Sequence, residues 1–309
     1  MQPLPSPFKL SPDVSRALQL GQPVLALEST VITHGLPSPN NLSLARDMEA
    51  EARNEGVTPA TIAVLNGIIQ IGLSDSELEG LAVAQAMKVS QRDFAAAIVK
   101  KVSGGTTVAG TMFAAHKAGI KVFSTGGIGG VQKEARFDVS PDMLALANTP
   151  MIVVCAGAKS ILDLPATLEY LETVGVPVLG YQTDEFPAFY SRQSGLKTSA
   201  QVDSPTEAAA FAHAHWDLGF GSGVLVCQPV QSGDEIPRAE IDPIIQQASD
   251  EARAKKISGQ ALTPFLLKRI NELTSGKSMR TNISFLLNNA RLGAQIAKVM
   301  MPARKVRAI

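Results

Sequence analysis

Short runs of apolar and β-branched residues recur along the chain, each followed by a glycine- or hydroxyl-rich turn and then an amphipathic helical stretch. The runs predict strands at Val24–Leu27, Thr61–Leu65, Val122–Ser124, Met151–Cys155, Pro177–Gly180 and Val224–Cys227. Several are apolar throughout, without alternation, as in strands covered on both faces. Helix starts are marked between them. Ser74-Asp75-Ser76-Glu77 and Ser204-Pro205-Thr206-Glu207 read as capping boxes, and Ser140-Pro141 and Thr263-Pro264 as a cap followed by proline. Gly56, Gly119, Gly175 and Gly219 come after helical patterns and suit the left-handed residue that ends a helix. From about Ile236 the pattern is almost wholly helical, ending in Asn282–Met300 with apolar Ile283, Leu286, Leu287, Ala290, Leu292 and Ile296. This alternation predicts an α/β protein: one three-layer α/β/α domain over residues 1–309, its core at about 20–301, with a helical C-terminal segment.

Composition narrows the class. With 309 residues, 45% of them hydrophobic, a large core is within reach. Lys+Arg and Asp+Glu each total 28, and a balanced charge argues against a nucleic-acid partner while leaving room for a small phosphorylated ligand. Cys155 and Cys227 sit in apolar stretches and read as buried, reduced thiols. No apolar run is long enough for a bilayer, and MQPLPSPFKL has no signal-peptide core, so a soluble cytoplasmic protein without membrane partners is expected. The basic tail Ala303-Arg304-Lys305-Val306-Arg307 reads as a frayed end.

Ligands of open α/β sheets collect beyond the carboxyl ends of strands, so the residues just past each apolar run are the candidates for chemistry. The first run leads into Glu28-Ser29-Thr30-Val31-Ile32-Thr33-His34-Gly35, where Glu28 suits a general acid or, equally, a solvated loop glutamate; His34 alone is more often structural. Gly104-Gly105-Thr106-Thr107-Val108-Ala109-Gly110 precedes a helical stretch and reads as a phosphate nest or a plain tight turn. It lacks the P-loop order, which disfavours a nucleoside triphosphate. Lys88 and Arg92, flanking Ser90, are either phosphate cations or surface charges. Ser124-Thr125-Gly126-Gly127-Ile128-Gly129-Gly130 implies close backbone approach to a ligand or a neighbouring segment.

Asp138-Val139-Ser140-Pro141-Asp142 surrounds a helix start. Asp138 suits a hard cation that keeps much of its water, although Ser140 as cap and Asp142 in the first turn serve the helix alone. Lys159 leaves the strand Met151–Cys155 through small residues, where partial desolvation frees an amine as a nucleophile; the alternative is a surface lysine opening a helix. Tyr181–Tyr190 mixes aromatics and carboxylates, suiting either a planar-base pocket or a packed loop. Asn288-Asn289, amides inside an apolar helix, need partners, and a pyrimidine edge is one candidate.

Together the stretches ALESTVITHGLPSPNN, GGTTVAGTM, VFSTGGIGGV, FDVSPDML, VVCAGAKSILD and NNARLGAQIA resemble the pseudouridine-5′-phosphate glycosidase family, also called indigoidine synthase A-like, over about residues 24 to 297. The resemblance implies a homotrimer with a manganese-like divalent ion, Mn²⁺, and a small-molecule substrate, pseudouridine 5′-phosphate or uracil plus ribose 5-phosphate. It puts Lys159 on the covalent lysine, Glu28 on the proton donor and Asp138 on the metal ligand. Lys88, Thr107 and the Val108 backbone fall on the phosphate site, Ser140, Pro141 and Asp142 in the substrate-contacting segment, and Asn289 on a base-contacting asparagine.

Two segments depart from the family. Gln132-Lys133 stands where it usually has His-Arg, which alters a proton-transfer or positioning role. Gln228-Pro229-Val230-Gln231 replaces Asn-Pro-Ile-Pro, which bears on substrate choice. The resemblance implies reversible C–C glycosidic cleavage through a lysine imine. The rivals are a C-glycoside-forming enzyme with another aromatic partner and, last, a non-catalytic sugar-phosphate binder.

Overall fold

The computed structural model describes residues 6–133 and 138–301; Phe137 of the FDVSPDML stretch and the basic tail lie outside them. Eleven strands form one mixed sheet: β1 (Phe8–Leu10), β2 (Val24–Leu27), β3 (Thr58–Leu65), β4 (Ile68–Ile71), β5 (Met87–Val89), β6 (Gly104–Thr106), β7 (Val122–Ser124), β8 (Ile152–Cys155), β9 (Val178–Tyr181), β10 (Ala200–Val202) and β11 (Val224–Cys227). The order β3-β2-β7-β8-β11-β9-β10 is parallel throughout, and every residue of β2, β7, β8 and β11 is buried. Fully apolar runs thus became central parallel strands, as their composition predicts. Helices flank this sheet: Lys277–Val299 crosses β2, β7 and β8 beside Asn40–Asn54 and Pro205–Asp217, while Val108–Lys117 packs on β2 and β3 beside Pro141–Asn148. The three-layer α/β/α class and the helical C-terminal segment are as the alternation predicts.

All six predicted strands are present, and Gly56, Gly119, Gly175 and Gly219 have φ of 74°, 82°, 67° and 90°. Ser74 and Glu77 form a reciprocal capping box, with the Ser74 N–H donating to Glu77 Oε2 at 2.7 Å. The second box is only half made: Ser204 Oγ accepts from the Glu207 N–H, but the Glu207 carboxylate accepts from the Asp203 N–H at 2.8 Å. Thr263-Pro264 is no cap either; it sits inside the first turn of Leu262–Leu273, whose cap position is Ala261.

Five strands have no counterpart in the sequence pattern. One of them carried a signal: Asn66-Gly67, with φ of 51° and 79°, turns β3 into antiparallel β4, with Leu65 opposite Ile68. Another corrects the expected loop at Gly104-Gly105, which is strand β6, antiparallel to β3 and parallel to β5. Glycine is disfavoured in strands, so the sequence hid it. Here glycine is required, since a Cβ at Gly105 would lie 2.3 Å from Thr33 Oγ1. At its far edge the sheet takes in β1, ahead of the expected core.

The strand order fixes where a ligand belongs. From β2 the chain steps to β3 on one side, whereas β7 flanks β2 on the other, making a topological switch point between β2 and β7.

Candidate active site

A cavity of about 410 Å³ opens beside this switch point, within the usual range for small-molecule sites. Glu28 reaches it from the end of β2, with only 8% of its surface exposed. Both of its oxygens are engaged: Oε2 accepts from the Thr30 hydroxyl and Oε1 from the Thr125 hydroxyl. The two donors lie on the exits of β2 and β7, so the carboxylate spans the switch point.

Lys159 enters from the exit of β8, half-buried, and its Nζ donates to the Gly127 carbonyl at 2.9 Å. Lys88 enters from β5. Burial, then the nearby Lys159 charge, holds the Lys88 ammonium below its usual range, while Asp142 and Glu28 oppose that shift. These four charged groups, remote in sequence, act on one another in one cavity. Burial and the Lys88 charge likewise hold the lining imidazole of His34 below its usual range, so it is neutral at pH 7. Thr33 Oγ1 and His34 Nδ1 are 2.7 Å apart.

Thr107 caps Val108–Lys117, its Oγ1 accepting from the Gly110 N–H at 3.2 Å. Val108 is the first helical residue, whose N–H has no acceptor within the helix. With Lys88 alongside, this helix start offers a donor, a positive dipole end and a cation to an anion. The nest is therefore the helix start, while the glycines belong to β6. Arg92 lines the same end, exposed and 3.6 Å from Asp93.

Ser140 and Asp142 reach the wall but also build it. Ser140 Oγ accepts from the Asp142 N–H at 3.2 Å, and Pro141 is the first residue of Pro141–Asn148. Asp142 is 6% exposed; Oδ1 accepts from the Ala109 N–H at 3.0 Å and Oδ2 from the Gly129 N–H at 2.8 Å. It therefore clamps the start of Val108–Lys117 to the glycine-rich exit of β7.

Asp138 is exposed at the rim, and its carboxylate accepts no hydrogen bond from a described residue. No group of three or more His, Cys, Asp or Glu that could hold a metal occurs among the described residues. One carboxylate without a partner among the described residues fits a hard cation that keeps most of its water, such as Mn²⁺ or Mg²⁺, and does not fit zinc.

Asn289 requires a correction. It is fully buried, does not line the cavity, and donates through Nδ2 to the Thr125 carbonyl at 2.9 Å. The asparagine that lines the cavity is Asn282, seven residues earlier on the same helix, beside Leu286. Sequence reasoning missed it, although two helical turns place both amides on one face. The aromatic segment is also mostly a packed loop: of Tyr181–Tyr190 only Phe189 lines the cavity, Tyr190 is buried, and Asp184 pairs with Lys197 at the surface. Phe189 has φ of 65°, a strained setting for an aromatic residue, and is gripped by Tyr190 and Phe285 at 4.8 and 4.6 Å between ring centroids. Of the two departures, Gln132 lines the cavity, whereas Gln228 and Gln231 do not. Gln231 instead donates to Asn288 Oδ1 at 3.0 Å. Cys155 and Cys227 are free, buried thiols, 3.9 Å apart.

The family model for indigoidine synthase A-like proteins matches residues 13–299. The chain belongs to this family. It is 54% identical over 293 residues to the pseudouridine-5′-phosphate glycosidase of Solibacter usitatus, covering 94% of this chain and 98% of that one. The Paracoccus denitrificans protein of the same name is 52% identical over 302 residues, with 96% and 99% covered. Among solved structures, the prealnumycin C-glycosynthase AlnA in complex with ribulose 5-phosphate superposes with a TM-score of 0.88 at 37% identity, over 96% and 98% of the two chains. An indigoidine synthase A-like protein from Thermotoga maritima gives 0.88 at 33% identity, over 96% and 97%.

Proposed function

We propose that this protein is a pseudouridine-5′-phosphate glycosidase, interconverting pseudouridine 5′-phosphate and water with uracil and ribose 5-phosphate. The observation that carries this reading is the convergence of an amine, a clamped carboxylate and an anion-binding helix start in one cavity. Relatives more than 50% identical over nearly the whole chain carry that name.

A C-glycosidic bond has no oxygen or nitrogen leaving atom to protonate, so two carboxylates are insufficient. In the proposed sequence the C1′–O4′ bond breaks, O4′ takes a proton, and the Lys159 amine bonds to C1′. The nitrogen lone pair then expels uracil C5, which takes a proton, and leaves an imine. Water hydrolyses the imine, freeing Lys159 and the aldehyde form of ribose 5-phosphate. Glu28, held at both oxygens, moves the protons. Lys88, Thr107 and the Val108 N–H hold the phosphate and orient the reacting end with remote binding energy. Ser140, Pro141 and Asp142 form the wall along the ribose, and Asn282 with Phe189 flanks the base.

Asp138 would hold the divalent ion, which when bound supplies electrostatic stabilisation and oriented water. Cytoplasmic location and a homotrimer belong to the same proposal; the structure adds only that no helix among the described residues is long and apolar enough to cross a membrane. In the decisive assay, the protein with Mn²⁺ and pseudouridine 5′-phosphate releases uracil, seen by absorbance, and a chelator stops it. No conversion by folded protein would overturn the reading. Turnover with a different aromatic partner would favour C-glycoside synthesis, the alternative raised by the likeness to AlnA and by Gln132 in the cavity.

Lys88 supplies a second test. Lys88→Ala removes a charge-assisted contact, and KM for ribose 5-phosphate is expected to rise roughly 10- to 100-fold. Because burial and Lys159 favour neutral Lys88, the wild-type KM should climb with alkaline pH earlier than an ordinary lysine allows. A bound phosphate favours the charged form, so affinity is full below that range and is lost above it. Initial-rate measurements across pH should show the climb in wild type and a flattened profile in Lys88→Ala.

A further inference from the structure

We propose that Asn289 is a positioning residue for Glu28, acting through Thr125; this rests on the reading of Glu28 as the group that moves protons. Thr125 leaves β7 with its N–H donating to the Val154 carbonyl at 3.0 Å and its hydroxyl donating to Glu28 Oε1. Its carbonyl is the acceptor for Asn289 Nδ2 at 2.9 Å, and the Gly126 carbonyl lies 3.5 Å from the same nitrogen. One amide therefore grips the turn that carries the hydroxyl.

The other half of that amide is unpaired: Asn289 Oδ1 is buried and has no hydrogen-bond partner among the described residues. A buried, unsatisfied acceptor is costly, and an apolar side chain would avoid the cost. What asparagine gives that leucine does not is the donor to Thr125. The helix is also brought within reach of both strands. Gly293, one turn beyond Asn289, faces Leu25 of β2 and Ser124 of β7, where a Cβ would lie 2.9 and 3.2 Å from their side chains. The helix thus lies directly over the strands that deliver Glu28 and Thr125. A carboxylate fixed by two hydroxyls presents its remaining lone pairs to the cavity in one orientation, and Asn289 fixes the backbone of one hydroxyl. This accounts for a buried asparagine that does not line the cavity.

The test compares Thr125→Val, Thr125→Ser, Asn289→Leu, Asn289→Ala and the double variant Thr125→Val/Asn289→Leu, each checked for folding by circular dichroism. Thr125→Val and Asn289→Leu should each lower kcat for pseudouridine 5′-phosphate roughly 10- to 100-fold, the scale of losing an outer hydrogen-bond partner of a reacting group. KM should stay near wild type. Thr125→Ser should restore kcat, and the double variant should be no slower than Thr125→Val, because Asn289 acts through that hydroxyl. Multiplicative losses in the double variant, an unchanged kcat in folded Asn289→Leu or Asn289→Ala, or failure of both Asn289 variants to fold would overturn the proposal. Borohydride trapping of ribose 5-phosphate on wild-type Lys159 separates this outcome from failure of the underlying mechanism: without that adduct the mechanism itself falls.

Discussion

Lys159→Ala is expected to abolish turnover, with a fall in kcat on the order of 10⁶-fold, the size seen when a catalytic nucleophile is removed. The reason is chemical. Expulsion of a carbon leaving group requires the electron push of a nitrogen bonded to C1′, and no other described amine occupies this position. Lys88 lies in the same cavity, but it belongs to β5 at the helix start that would take the phosphate. With the phosphate held there, as proposed, Lys88 would face the 5′ end of the sugar and Lys159 would face C1′. Mass spectrometry after borohydride treatment should show one ribose 5-phosphate adduct on wild type, mapped to Lys159, and none on Lys159→Ala. An adduct that survives the substitution would move the covalent role to another lysine. Because Lys159 Nζ rests on the Gly127 carbonyl at 2.9 Å, its loss leaves one carbonyl at a solvent-reachable cavity wall, so the variant should fold.

Glu28→Gln is the second large effect. The substitution keeps the size, turns one of the two accepting oxygens into an amide donor and removes the proposed proton-transfer function, and kcat should fall roughly 10²- to 10⁴-fold with KM for ribose 5-phosphate little changed. The adduct with ribose 5-phosphate should still be trapped on Lys159, because that sugar brings its own aldehyde and needs no C–C cleavage. Rapid-quench measurement of adduct and uracil in one experiment tests both expectations. A variant that loses the adduct while retaining cleavage would reverse the assigned roles.

Several residues of the candidate site were legible because the cavity opens where open α/β sheets place ligands. Glu28 and Lys159 each stand at the exit of an apolar strand, and both strands are where the apolar runs predict them. Thr107 and Val108 are marked by the hydroxyl before a helical pattern, and Asp138 by its place ahead of the Ser140-Pro141 cap. The misreadings share a physical cause. Gly104-Gly105 looked like a loop because glycine contributes no side chain to a pleated surface, yet only glycine lets β6 slide beneath Thr33. Asn289 looked like a base reader because an amide in an apolar helix needs a partner, and periodicity cannot say whether that partner is a ligand or a backbone carbonyl. Gln228 and Gln231 looked relevant to substrate choice because they depart from the Asn-Pro-Ile-Pro of the family resembled, but neither lines the cavity and Gln231 bonds to Asn288.

By itself, then, the sequence determined the layer architecture, the central strands and their exits, because apolar periodicity and capping chemistry are local properties of a chain. Only the tertiary structure decided which exits meet. The strand order puts β2 beside β7, brings Lys88 into electrostatic contact with Lys159, and clamps Glu28 between hydroxyls 95 positions apart in the chain, Thr30 and Thr125. It also decided that Asn282 faces the cavity while Asn289 faces the sheet. A pattern of residues records which side of an element is apolar, whereas the partner of a polar atom is fixed only when two distant elements pack.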